Sequence, residues 1–174
     1  MRNWLLRMTL PALAVSSMAL ADSFDADRTR YIGIEVGATE VQGETLYDPS
    51  NSGTDVSFGI RAGAKEGMWR TTLLFNYYDN TDEDINVETM LLTIDYFFVE
   101  QLSSVQPYIG INAGYANYES TGVDDSGFLY GGQIGLLFDV SSLFAMDLSY
   151  RYSLSGMDLM DHAGSVMLSV DYKF

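Results

Sequence analysis

Ser165-Val166-Met167-Leu168-Ser169-Val170-Asp171-Tyr172-Lys173-Phe174 is the stretch that indicates the fold most clearly. Its apolar phase consists of Val166, Leu168, Val170, Tyr172 and Phe174, and the opposite phase contains Ser165, Ser169, Asp171 and Lys173. Side chains two residues apart point to the same face of a β-strand. The alternation therefore predicts a strand with one apolar face and one polar face.

Seven earlier segments show the same period of two. They cover residues 32–39, 56–64, 69–77, 89–98, 109–115, 128–139 and 144–153. The third and fourth are less clean, because Leu74 and Leu91 stand in the polar phase. The segments cover 7 to 12 residues, against roughly 5–6 in soluble strands. Ten residues tilted by 45° span about 23 Å, near the apolar band of an outer-membrane barrel. A soluble sandwich would also alternate, but the length favours a bilayer. We predict an all-β fold, a transmembrane antiparallel up-and-down barrel of eight strands.

Aromatic residues collect at both ends of the apolar phase. If the N-terminus is periplasmic, the girdle on that side contains Trp69, Phe98 and Phe144, and the outer girdle contains Tyr77, Tyr115, Tyr130 and Tyr152. Aromatic girdles at both interfaces are typical of outer-membrane barrels. In a sandwich core these rings would have no reason to favour strand ends.

The segments between the strands alternate in kind. Residues 42–54, 79–86, 118–126 and 155–163 are longer and mostly acidic, whereas Lys65-Glu66-Gly67 and residues 139–142 read as short turns. Residues 99–106 lie on the same side as the short turns but form a longer connection. Long outer loops and short periplasmic turns are the usual asymmetry of such barrels.

The N-terminal residues have the pattern of a secretory signal. Arg2 and Arg7 supply positive charge, residues 8–15 are apolar, and Ala19-Leu20-Ala21 fits a cleavage site. We predict a cleaved signal peptide over residues 1–21, a short periplasmic N-terminal segment over 22–29 and the barrel over 30–174. The chain has no cysteine, so no disulfide or lipid-attachment site is expected. The predicted location is the outer membrane of a Gram-negative cell.

The charge of the chain argues against some partners. Without Arg2 and Arg7, 7 of the 9 Lys and Arg face 24 Asp and Glu, a net charge of −17. Nucleic acid would be repelled. Asp82, Asp84 and Asn86 alternate as in a calcium loop, but Val87 stands where that loop needs glycine. We predict no metal site and no cofactor, and leave open an extracellular ligand of the acidic loops and diffuse divalent bridging to lipopolysaccharide.

The inward phase carries charges of both signs. We predict an interior network of Glu35, Arg61, Arg70, Asp95, Asp139, Asp147, Arg151, Asp171 and Lys173. An eight-stranded barrel has just enough room for side chains to fill it, and buried charges must pair. The favoured interpretation is a plug that Arg151→Ala would open. Inward glycines on the first, second, fifth and sixth strands leave a narrow porin-like channel as the alternative.

Three stretches resemble the small OmpA/OmpX-like outer-membrane barrels. They are Gln106-Pro107-Tyr108-Ile109-Gly110-Ile111-Asn112-Ala113-Gly114-Tyr115, Met146-Asp147-Leu148-Ser149-Tyr150-Arg151-Tyr152 and Val170-Asp171-Tyr172-Lys173-Phe174. The resemblance covers residues 30–174 and implies that Tyr172 and Phe174 form an assembly signal for the barrel assembly machinery. It also implies contact with outer-membrane lipids and lipopolysaccharide. No peptidoglycan-binding domain is expected, and the implied role is structural or surface interaction.

An enzymatic role is the remote alternative. Some eight-stranded barrels modify lipid A with a His-x-Ser pair and a carboxylate. Here His162 is the only histidine, and Ser165 follows one residue too late to share its strand face. We therefore predict no catalytic residue.

Overall fold

Eight antiparallel strands form one closed barrel. The computed structural model describes residues 28–43, 51–80, 85–99, 104–120, 123–157 and 160–174. The strands are β1 (Arg28–Gly43), β2 (Asn51–Glu66), β3 (Trp69–Asn80), β4 (Ile85–Phe97), β5 (Val105–Ser120), β6 (Val123–Asp139), β7 (Phe144–Ser155) and β8 (Met160–Lys173). Each pairs with its neighbours in the chain, and β1 also pairs with β8. The predicted fold class is confirmed.

The predicted signal peptide, residues 1–21, lies outside the described residues, as does most of the segment 22–29. β1 begins at Arg28, two residues before the predicted start of the barrel. None of the described residues belongs to a helix long and apolar enough to cross a membrane.

The period of two places apolar residues outside and polar residues inside. Along β7, exposed and buried residues alternate from Phe144 to Leu154. Ile34 and Ile111 on the outer face are 67% and 66% exposed, whereas Asp147 on the inner face is fully buried. A soluble protein has the reverse distribution, so this wall is suited to lipid. Closure also pairs every strand edge, which lipid could not satisfy.

The strands are longer than the sequence pattern suggested, at 12 to 17 residues. β5 and β6 remain paired as far as Ser120 and Val123, so only residues 121–122 connect them. The expected length asymmetry between outer loops and periplasmic turns was therefore wrong. Backbone pairing needs no lipid, so a ladder can continue into water with polar side chains on its outer face. Asp79, Glu119, Asp124, Asp125 and Asp161, expected in loops, lie in strands.

The predicted turn Lys65-Glu66-Gly67, between the second and third strands, was also misplaced. β2 continues to Glu66, and the chain reverses at Gly67 and Met68. Gly67 has a φ of 55°, which suits the left-handed region that glycine enters without a Cβ penalty. Lys65 consequently lies in a strand with its side chain buried inside the barrel. We call the barrel end that carries Arg28 and Lys173 the N/C end, and the opposite end the far end.

Candidate functional site

The barrel interior holds a closed ring of polar side chains, most of them charged. Arg70 Nε contacts Asp95 Oδ2 at 2.8 Å, and Arg70 Nη1 contacts Asp147 Oδ2 at 2.6 Å. Asp147 Oδ2 also accepts from Arg61 Nη2 at 3.3 Å. These contacts link β2, β3, β4 and β7 across the lumen.

The ring closes through Glu35 and Gln133. Arg61 Nη1 lies 3.7 Å from Glu35 Oε2, and Arg151 Nη1 lies 3.3 Å from Glu35 Oε1. Arg151 Nε donates to Gln133 Oε1 at 3.2 Å. Gln133 Nε2 then donates to Asp95 Oδ1 at 2.6 Å, which returns to the starting carboxylate.

Two further side chains complete this group. Asp171 of β8 lies 3.1 Å from Arg61 Nε, and the Tyr108 hydroxyl of β5 donates to Asp147 Oδ1 at 2.8 Å. All eight strands thus contribute. We call the group the central charge cluster; its members are Glu35, Arg61, Arg70, Asp95, Tyr108, Gln133, Asp147, Arg151 and Asp171.

A second group lies nearer the N/C end. Lys173 Nζ contacts Asp139 Oδ1 at 2.6 Å, and Gln106 Nε2 donates to Asp139 Oδ2 at 2.6 Å. Lys65 Nζ donates to Gln106 Oε1 and lies 4.4 Å from the centre of the Phe97 ring. We call Lys65, Gln106, Asp139 and Lys173 the terminal cluster.

The charges of the two clusters balance. The cations are Arg61, Lys65, Arg70, Arg151 and Lys173, and the anions are Glu35, Asp95, Asp139, Asp147 and Asp171. Five charges of each sign cancel, so the two clusters together carry no net charge. Buried ions are costly unless paired, and here nearly every one has a partner of opposite sign.

The far end of the lumen is apolar. Ten buried residues pack together there, and we call them the apolar layer: Val41, Leu74, Tyr78, Val87, Leu91, Ala116, Tyr118, Leu129, Met157 and Met160. Met157 lies in the connection after β7 and Met160 begins β8, so this connection contributes to the buried apolar layer. The interior was expected to be a charge network alone, and that expectation was incomplete.

Hydroxyl and amide groups lie between the charges and the apolar layer. Thr39 Oγ1 contacts Ser57 Oγ at 2.7 Å and Ser165 Oγ at 2.9 Å, and Ser153 Oγ donates to Asn112 Oδ1 at 2.9 Å. A cavity of about 40 Å³ is present here, bordered by residues that include Arg151 and Tyr78. A second, of about 20 Å³, borders the terminal cluster. Such volumes hold a few water molecules.

Inward glycines provide the space for these side chains. Gly135 lies opposite Tyr108, and a Cβ there would stand 2.5 Å from the Tyr108 hydroxyl oxygen. Gly110 lies opposite Asp95, and a Cβ there would strike the Asp95 carboxylate. The glycines thus fit large inward neighbours on adjacent strands.

The predicted network, girdle and terminal residues lie in different parts of the barrel. Seven of the nine predicted network residues lie in the central charge cluster, and Asp139 and Lys173 lie in the terminal cluster. The girdle residues are exposed on the outer wall: Trp69, Phe98 and Phe144 toward the N/C end, and Tyr77, Tyr115, Tyr130 and Tyr152 toward the far end. Tyr172 and Phe174 are also exposed outward, with ring centres 6.3 Å apart.

The remaining candidate residues are His162 and the calcium-like segment. His162 lies beside Tyr152, with ring centres 5.1 Å apart, and pairs with Leu154 across the sheet. Among the described residues, no group of three or more His, Cys, Asp or Glu could hold a metal ion. Asp82 and Asp84 of the calcium-like segment lie outside the described residues, and Asn86 and Val87 lie in β4.

Several interior residues were missed by sequence reasoning. Lys65 was assigned to a turn, and Gln106 and Tyr108 were noticed only within a family motif. One feature of the sequence could have indicated the apolar layer: Leu74 and Leu91 stand in the polar phase of their strands. An apolar residue in an inward phase indicates an apolar partner inside the barrel.

Comparison with solved structures shows the same fold in bacterial outer-membrane proteins. Neisserial surface protein A matches with a TM-score of 0.65 and 21% identity, over 82% of this chain and 97% of its own. Outer membrane protein H (OprH) of P. aeruginosa matches with a TM-score of 0.55 and 19% identity, over 81% and 99%. The N-terminal barrel of Pseudomonas aeruginosa OprF matches with a TM-score of 0.53 and 14% identity, over 82% and 97%.

Comparison with curated protein sequences finds no significant match. A family model does match, and it covers residues 8–174, nearly the whole chain. With the closed eight-stranded barrel and its apolar outer wall, this match establishes that the chain belongs to the outer membrane protein beta-barrel domain family.

Proposed function

We propose that this protein is a structural outer-membrane barrel with a closed interior and a surface-interaction role at its far end. The observation that carries the proposal is the central charge cluster, to which all eight strands contribute. Removing one partner of a buried ion pair costs about 3–5 kcal/mol, because it leaves the other charge buried and unpaired, so the cluster is stable only when it is complete.

Two barriers in series support a closed lumen. The charge clusters occupy the half toward the N/C end, and the apolar layer fills the far end. An ion moving through would have to displace paired charges and then leave water at the apolar residues. The two interior cavities described above are small, about 20 and 40 Å³, which supports a closed lumen.

The orientation follows from the chemistry of the two ends. The far end carries polar strand extensions with exposed acids such as Glu40 and Asp79. We place it on the cell surface, where it would meet lipopolysaccharide or an extracellular ligand, and place the N/C end in the periplasm. The barrel assembly machinery would act on the strand that ends with Tyr172 and Phe174.

Single-channel recording in planar bilayers tests the closed interior. We expect the refolded wild-type protein to be silent. We also expect Arg151→Ala to be silent, because the apolar layer still blocks the lumen. Leu91→Ala with Leu129→Ala is the corresponding change in the apolar layer. The variant that combines these two substitutions with Arg151→Ala should conduct.

Each variant addresses one barrier. Stable wild-type openings would overturn the proposal and favour the narrow channel. Openings in Arg151→Ala alone would show that the charges are the sole barrier, as the sequence suggested. Circular dichroism of each refolded variant checks that the barrel is intact before its conductance is compared.

A further inference from the structure

The ladder between β2 and β3 stops before either strand ends. Its last pair toward the far end is Ser57 with Tyr78, although β2 extends to Asn51 and β3 to Asn80. On its other side β2 is paired with β1 over its whole length. Residues 51–56 therefore have one paired edge and one edge along which no described residue forms a ladder. We call this second edge the open edge of β2.

The backbone of this segment has donors that face the open edge. The N–H and C=O groups of successive residues in a strand point alternately to its two neighbours. The Val56 N–H donates to Asp55 Oδ1 at 2.6 Å, so a side chain and not a neighbouring strand accepts from it. Val56 thus points its N–H away from β1, and Thr54, two residues earlier, points its N–H the same way. An unpaired strand edge is a template for pairing with another chain.

The corresponding segment of β6 is partly covered by the protein itself. β6 also runs past its ladder with β7. There Gly156 N donates to Phe128 O at 2.9 Å, and a Cβ on Gly127 would stand 2.5 Å from Met157 Cγ. The chain after β7 therefore lies against that edge, whereas the part of the chain that the structure describes places no such cover on the open edge of β2.

Acidic side chains border the open edge of β2. Asp55 lies within the segment, and Asp79 is exposed on β3 next to the last pair of the ladder. Glu40 is exposed on β1, on the other side of the segment. Residues 31–60 and 71–150 contain no Lys or Arg. The charge around the edge therefore complements a partner with positive side chains.

We propose that the open edge of β2 binds an extended, basic segment of a partner protein as an added strand. The backbone of that segment would pair with Thr54 and Val56, and it would displace the Asp55 carboxylate from the Val56 N–H. Its lysine or arginine side chains would meet the acidic residues around the edge. Strand addition takes its affinity from main-chain hydrogen bonds and its specificity from side chains. The inference rests on the proposed function, because it requires the far end to face the cell surface, and it adds the class of partner.

Peptide binding to the purified protein tests the edge. The probe is a fluorescent peptide of about eight residues, the length of an ordinary strand, that alternates lysine and threonine. Its anisotropy is followed as the protein, refolded in phosphatidylcholine nanodiscs, is added. A lysine–proline peptide of the same length and charge cannot supply the backbone donors of a strand, so we expect it to bind far more weakly. A glutamate–threonine peptide should not bind.

Two variants at one position separate backbone from side chain. Thr54→Pro removes an edge donor and should weaken the lysine–threonine peptide about fivefold, whereas Thr54→Ala should bind like the wild type. Because the Thr54 N–H faces no ladder, the Thr54→Pro barrel should keep the wild-type unfolding temperature. Glu40→Gln with Asp79→Asn should weaken binding and reduce its dependence on salt.

Three results would overturn the proposal. Equal binding of the lysine–threonine and lysine–proline peptides would reduce the interaction to charge attraction. Unchanged binding by Thr54→Pro would exclude the backbone edge. Cross-linked dimers of the peptide-free wild type that disappear in Thr54→Pro would assign the edge to a second copy of this chain.

A separate measurement tests the proposed function on which the inference rests. The chain has no cysteine, so Thr54→Cys gives the protein a single thiol. A membrane-impermeant maleimide should label it in intact cells, whereas Ser141→Cys, exposed at the N/C end, should be labelled only after lysis. Absence of Thr54→Cys labelling would overturn the cell-surface position of the far end, whatever the purified protein binds. Labelling without peptide binding would refute the open edge alone.

Discussion

Arg70 is 2% exposed, and its guanidinium group contacts two carboxylates and two aromatic rings. Besides Asp95 and Asp147, its guanidinium carbon lies 4.4 Å from the centre of the Tyr108 ring and 5.1 Å from that of Phe97. A guanidinium can do this because it is planar, with donors in its plane and aromatic contacts on its faces. A lysine at this position would supply a point charge without those faces.

We expect Arg70→Met to lower the free energy of unfolding by about 3–5 kcal/mol, because Asp95 and Asp147 lose a buried partner. Adding Asp95→Asn should recover part of the loss, with a coupling of about 0.5–3 kcal/mol. Denaturant unfolding in lipid vesicles measures both quantities. Arg28→Met, the same change at an exposed position, should stay within about 0.5 kcal/mol of the wild type. Equal losses in the two single variants would contradict the assignment of Arg70 to the cluster.

At the scale of single strands, inward glycines and large side chains form cross-strand pairs. Tyr31 lies opposite Gly63, Tyr108 opposite Gly135 and Asp171 opposite Gly33. A small barrel has too little cross-section for large inward residues on every strand. Each glycine therefore gives the neighbouring strand room to lay its side chain inward.

Gly135→Ala should destabilise the barrel by about 1–3 kcal/mol, because the new methyl group displaces the Tyr108 ring and its hydrogen bond to Asp147. Gly132→Ala on the same strand is the control. Its Cβ would meet only the Gly110 carbonyl oxygen, at 3.3 Å. Thermal unfolding of the two variants gives the comparison, and a control as unstable as Gly135→Ala would refute the packing argument.

The last strand has a separate test. The Phe174 side chain is 63% exposed, while its backbone exchanges hydrogen bonds with Arg30 at 2.9 and 3.2 Å. Phe174→Ala keeps those bonds, so we expect normal unfolding of the refolded protein but slower insertion by the assembly machinery in cells. Pulse-chase folding assays measure insertion, with Val166→Ala as an exposed apolar control on the same strand. Insertion at the wild-type rate would remove Phe174 from the proposed assembly signal.

For the whole molecule, the interior clusters cancel, so the net charge of −17 over residues 22–174 comes from the rest of the chain. Exposed acids of the far end include Glu40 and Asp79. Facing an anionic lipopolysaccharide leaflet, these carboxylates would repel it unless divalent cations intervene.

We therefore expect millimolar Mg²⁺ to raise the unfolding temperature in vesicles that contain lipopolysaccharide and not in plain phosphatidylcholine. Glu40→Gln with Asp79→Asn should reduce the Mg²⁺ effect, because fewer carboxylates remain to bridge. Glu66→Gln removes an exposed acid at the N/C end and should leave it unchanged. Equal Mg²⁺ effects in both vesicle types would argue against bridging.

The alternation of the sequence predicted the strands and their two faces, and the reason is local. A strand turns its side chains to opposite faces with a period of two, so residues such as Ile34 and Glu35 have their faces assigned by position alone. Strand ends were harder to predict, because a ladder such as Ser120 with Val123 continues wherever two polar segments can pair.

The sequence by itself therefore determined the fold class, the face of each strand and most of the inward charges, but not Lys65. Only the tertiary structure decided which charges meet, because closure brings together residues such as Arg61 and Asp147, 86 positions apart on strands that are not neighbours. It also divided the lumen into a charged part and an apolar layer. Depth along a barrel depends on the register of all eight pairings, and no single strand carries that information.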